Sequence, residues 1–184
     1  MNISKNIYNK DEIIKELDHT FQEVSQMVTV LGDDEFYRNG GLKWSAAENL
    51  DHLIRSTKAL ASALKMPKLA LYASFGKANR PSRTFQELMD RYQSKLKQGA
   101  KATGPYIPEN TKAISKADLL ESWQGIRAKF NNRLSKNWTE DQLDKYIVPH
   151  PLLGKMTMRE MMFFTIYHNL HHLKNIKSLY ASFV

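Results

Sequence analysis

Apolar residues recur along this chain at the three- and four-residue spacing of helices, and no stretch alternates convincingly enough to predict a sheet. The clearest stripe is near the C-terminus, where Met161, Thr165, His168, His172, Ile176 and Leu179 are spaced 4, 3, 4, 4 and 3. That spacing keeps all six on one helical face. A second stripe, Leu50, Leu53, Leu60 and Leu64, marks another helix.

Helix starts are signalled by capping boxes, a Ser or Thr followed three residues later by Glu, Asp or Gln. They occur at Ser45–Glu48, Thr84–Glu87, Ser115–Asp118, Thr139–Gln142 and Thr157–Glu160. Combined with the stripes, they predict four long helices, over about residues 11–31, 45–66, 116–137 and 157 to near the end. Gly32 closes the first and Pro67 stops the second. A shorter helix is predicted over about 84–98. The flanking segments "PKLALYASFGKANRPSR" and "GAKATGPYIPENTKAI" read as loops from their Pro and Gly residues. Four amphipathic helices of about 20 residues imply an all-α protein built as a four-helix bundle. It is read as one domain over 1–184, with an inserted loop-helix-loop over about 67–114.

Composition narrows the function. At 184 residues, with 42% hydrophobic and 25% charged, the chain has ordinary globular proportions. It has no cysteine, which excludes disulfides, thiolate metal sites and a cysteine nucleophile. The N-terminus has no apolar core of signal-peptide length, and no segment has the roughly 18 apolar residues of a membrane span. The chain is read as soluble and cytoplasmic, with no membrane partner. Its 27 basic residues are mixed with 19 acidic ones along the whole length, giving a net charge of +8. The densest patch, "KLKQGAK", holds three lysines with no arginine or aromatic residue between them. This pattern describes a solvated surface, and no nucleic-acid partner is expected.

The chemistry is concentrated in "YHNLHHLKNI". His168 and His172 are one turn apart on the inward stripe, close enough for both imidazoles to reach one cation. His171 falls about 100° away, on the flank. The zincin pattern is absent, because no glutamate follows His168. A third ligand must come from another helix, and the candidates are His19, His52 and His150. His52 lies off the main apolar stripe, on a side shared with Ser56, Ala59 and Ala63, so periodicity does not aim it inward. Glu48 stands one turn before it but completes a capping box with Ser45. His19 reads as a surface residue, and His150 as either an exposed loop side chain or a residue at the mouth of a site. Ferritin-like di-metal chemistry is disfavoured, since neither His52 nor His168 has a glutamate three residues before it.

"WSAAENLDHL", followed far downstream by "HPLLGKMTMREMMFFTIYHNLHH", resembles the DinB-like (DinB/YfiT) family of metalloenzymes. The resemblance covers most of the chain. It implies a four-helix bundle and a divalent metal (zinc, nickel or iron) held by three histidines, which match His52, His168 and His172. It also implies thiol-dependent transfer and a homodimer; the open position of a three-histidine ion would equally activate water, and a small-molecule substrate is expected. In that family a glutamine often follows the second histidine of the pair by three residues; here the position is Asn175. His150 and Asn175 are pocket candidates. The rival reading is a non-enzymatic helical bundle that binds a metal, a ligand or a partner.

Overall fold

In the computed structural model, which describes residues 9–181 apart from 40 and 42, the predicted stripes become the core. Helix α1 (Lys10–Val30) buries Ile13, Leu17, Phe21, Val24 and Val28. Helix α3 (Ala46–Lys65) follows a one-turn α2 (Asp33–Tyr37) and buries Leu50, Leu53, Leu60 and Leu64. Helix α6 (Lys116–Asn137) buries Leu119, Trp123, Phe130 and Leu134. Helix α8 (Met158–Tyr180) is buried on nearly every side. Neighbouring bundle helices run α1, α8, α3, α6 and back to α1. Predicted and observed boundaries agree to within a residue or two.

The capping boxes explain this accuracy. Ser45, Thr84, Thr139 and Thr157 each accept a hydrogen bond from the backbone N–H three residues on, and the side chain of that residue accepts in turn from the cap N–H. Ser115 accepts from the Asp118 N–H, but its hydroxyl donates to the Asp118 carboxylate, so the reciprocal half is missing.

Two expectations are corrected. The segment after Pro67 is not all loop, since it contains α4 (Lys68–Phe75), with Pro67 as its N-cap and Gly76 ending it at φ +87°. Proline stops α3, but its fixed φ also suits the start of a helix. The chain also has a small sheet. After α5 (Phe85–Lys97) and α7 (Glu140–Lys145), strands β1 (Ile147–His150) and β2 (Gly154–Thr157) pair antiparallel, with Val148 opposite Met156 and His150 opposite Gly154. Four-residue strands carry too little alternation to stand out, and Pro149 makes β1 read as loop. Proline is tolerated because, among the described residues, β2 is the only strand paired with β1, the Lys77–Tyr146 bridge lying just before it.

The inserted region packs back on the bundle. Helix α5 lies against α8. A buried ion pair anchors its entry: Glu160 accepts from Arg80 at 2.6 and 2.9 Å and from the Arg83 backbone N–H at 2.7 Å. Asp51 and Arg55 on α3 hold the far end, accepting from the Glu109 N–H and donating to the Pro105 carbonyl. Among the described residues no helix is long and apolar enough to cross a membrane.

Candidate metal centre

Helices α3 and α8 pack as neighbours, and their contact brings His52, His168 and His172 together. All three are buried, and one ring nitrogen from each lies within 4.8 Å of the others. His168 Nε2 is 3.0 Å from His52 Nε2 and 3.1 Å from His172 Nε2.

The remaining ring nitrogens determine what these close approaches mean. His52 Nδ1 lies 2.6 Å from the Tyr106 carbonyl oxygen. A carbonyl only accepts, so Nδ1 carries the proton and Nε2 a lone pair. His172 Nδ1 lies 2.7 Å from Asn49 Oδ1. The Asn49 amide nitrogen donates to the Ser45 and Trp44 carbonyls, which turns its oxygen towards His172. His172 therefore also donates through Nδ1 and presents a bare Nε2. With two lone pairs already facing the cluster, a neutral His168 can supply at most one shared proton.

Protonation would not relieve this crowding. Burial, reinforced by the other histidines, pulls His168 and His172 well below the ordinary imidazole range. Burial also lowers His52, against the Tyr106 hydrogen bond and the nearby Asp51. The donor set suits a divalent cation, which needs neutral imidazoles with lone pairs converging on one point. Neighbouring nitrogens of a tetrahedral zinc site stand roughly 3.3 Å apart, given bonds of about 2.0–2.1 Å. The observed spacings are within a few tenths of an ångström of that.

Several neighbours were not predicted. Trp44 lies against His52, with centroids 5.0 Å apart, and stacks on His172. Asn49 and the Tyr106 carbonyl orient two of the rings. Asn49 sits one turn before His52 on α3, a spacing that marks it as a neighbour only once His52 is known to face inward. A backbone carbonyl 54 residues away leaves no trace in the sequence. Beside the cluster lies a cavity of about 880 Å³. Ser56, Ala59 and Ala63 line it, so the small-residue side of α3 opens onto this space.

The other candidates are placed as follows. His171 lines the cavity but lies outside the cluster, its ring 5.1 Å from that of His172. Asn175 is exposed at the cavity rim, with its amide 3.4 Å from His171 Nε2. His150 is buried at the end of β1 and lines the cavity. Glu48 accepts from the Ser45 N–H at 2.7 Å and serves the helix cap. His19 is exposed, 3.9 Å from Glu23. Tyr92 on α5 also lines the cavity, and burial pushes its phenol up to about 12, so it stays protonated at neutral pH.

Fold and site together define a helical bundle with an inward three-histidine cluster. The family model for the DinB superfamily matches residues 16–176, and the chain belongs to that superfamily. Among solved structures it is similar to YfiT from Bacillus subtilis, described as a probable metal-dependent hydrolase with an unusual four-helix bundle topology. That likeness has a TM-score of 0.64 and 18% identity, covering 97% of this chain and 90% of that one. At this identity it is a likeness of fold. No curated protein matches the chain.

Proposed function

We propose that this protein is a metal-dependent enzyme acting on a small molecule, with His52, His168 and His172 as the metal ligands. The observation that carries the reading is the forced tautomer of His52 and His172: both turn bare Nε2 atoms towards His168 at the edge of a cavity. Three protein ligands leave an open coordination position, the arrangement of catalytic sites; structural sites are normally closed by four. When bound, a divalent ion supplies Lewis acidity that lowers the pKa of a water or thiol at that position.

The chain's own residues do the rest. Tyr106 and Asn49 hold the imidazoles in the ligating tautomer, and Trp44 shields two of the rings from solvent. The apolar walls, including Tyr92, Leu60 and Phe164, exclude water from the substrate's body. The nucleophile is a water or an incoming small-molecule thiol, since the chain has no cysteine of its own. The description of YfiT as a probable metal-dependent hydrolase supports the water route.

Elemental analysis of purified protein beside the His168→Ala/His172→Ala variant tests the reading. Near-stoichiometric divalent metal is expected in the parent and almost none in the variant. Equal sub-stoichiometric metal in both would refute it.

A further inference from the structure

His150 is the last residue of β1, and its ring meets Phe164 edge-on at 4.3 Å between centroids. Phe164 in turn stacks on His168 at 4.8 Å. His150 thus lines the same cavity, one aromatic ring removed from the ligand cluster. The hairpin turn fixes its tautomer. The backbone N–H groups of Leu152 and Leu153 both donate to His150 Nδ1, at 3.1 and 3.2 Å. A nitrogen that accepts two hydrogen bonds holds a lone pair, so the proton of the neutral ring is on Nε2.

A second proton would have to enter at Nδ1, against those two N–H groups. Burial acts in the same direction and lowers the imidazole to about 4. At neutral pH the ring is therefore a fixed donor, neither base nor acid. Among the described residues no protein group accepts from Nε2. Phe164 and Leu152 beside it are apolar, and His168 is near enough to interact with it electrostatically. Nε2 is not sealed off from the cavity, so its N–H is available to an acceptor that enters there.

We propose that His150 determines substrate specificity: its Nε2–H donates to a carbonyl oxygen on a substrate whose apolar body fills the cavity. This rests on the cavity being the substrate pocket of the proposed enzyme. It goes further by assigning the substrate an apolar body and an acceptor set apart from the metal by about one ring.

Two variants separate this role from capping of the turn. His150→Asn keeps an oxygen that accepts from the turn N–H groups but removes the Nε2–H. His150→Gln returns an N–H near the Nε2 position. Long-range ¹H–¹⁵N spectra of the full-length protein should show His150 as the Nε2–H tautomer at neutral pH. Acetophenone and ethylbenzene, alike in shape but only one with a carbonyl, serve as probes in an NMR titration. The parent should prefer acetophenone by roughly five-fold, the worth of one neutral hydrogen bond. His150→Asn should lose that preference while keeping its thermal midpoint and its affinity for ethylbenzene. His150→Gln should recover part of it. An Nδ1–H tautomer, equal affinities in the parent, no binding of either probe, or a preference surviving in His150→Asn would overturn the assignment. Zinc content is measured on the same samples. A parent without zinc would defeat the metal reading, yet the carbonyl preference would still be measurable.

Discussion

Two buried polar clusters sit on α8, and they resolve their burial in opposite ways. Glu160, in the first turn, is fully buried and fully answered: Arg80, Arg83 and the Thr157 N–H all donate to it. Burial pushes its carboxyl up, but the hydrogen bonds outweigh that and its pKa is lowered. The histidine cluster, two to three turns on, has its outer nitrogens answered by Tyr106 and Asn49 while its inner nitrogens face one another. A carboxylate whose partners all come from the chain is a structural fastening. Lone pairs converging beside a cavity could hold a metal ion brought in from outside.

Breaking the fastening should have the larger effect on stability. Glu160→Ala leaves two arginine side chains and two backbone N–H groups, those of Arg83 and Thr157, without their acceptor. It should cost about 3 kcal/mol in urea unfolding, the low end for a broken buried pair, because both arginine side chains reach water in part. Zinc stoichiometry should be retained by the fraction that folds. Should Glu160→Ala abolish zinc binding in folded protein, the two clusters would not be separable as described.

The orienting shell can be broken without touching a histidine of the cluster. Asn49→Leu removes the acceptor that sets the His172 tautomer. Zinc affinity, read by competition with a chromogenic chelator, should fall about 10–100-fold. Unchanged affinity would mean that Asn49 serves the start of α3 and not the site.

The smallest effect is in the pH dependence of the metal-free protein. The buried histidines are lowered from 6.5, so above that value neither the folded nor the unfolded chain carries their protons. As pH falls below 6.5 the unfolded chain takes up protons that the folded one refuses, and stability drops. Glu160 is lowered from 4.5, so its contribution is complete above 4.5 and drains away only below it. Urea midpoints should therefore decline in two stages. His168→Ala/His172→Ala should flatten the first stage, and Glu160→Gln the second. A single stage starting near 4.5 would contradict the neutral, buried state of the cluster.

The bundle was legible because its signals are local. Caps and apolar spacing act within a few residues, and they located five helices. His168 and His172 were legible for the same reason, as one turn of a single stripe. His52 was not legible from periodicity and was selected only by the family resemblance, because it leaves the apolar stripe of α3 for the side with Ser56, Ala59 and Ala63. That side faces a cavity, and an empty space gives no periodic signal. The hairpin was hidden by its brevity and by Pro149. The orienting partners, above all the Tyr106 carbonyl, depend on how the inserted region folds back onto α3, a long-range event without a residue-type signature.

The central claim is that three imidazoles share one metal ion, and X-ray absorption at the zinc edge of the zinc-loaded protein tests it most directly. The account predicts three histidine nitrogens at about 2.0–2.1 Å with the outer-ring scattering of imidazole, plus one further light atom. A first shell of oxygens without imidazole scattering, or a spectrum unchanged in His168→Ala/His172→Ala, would contradict it.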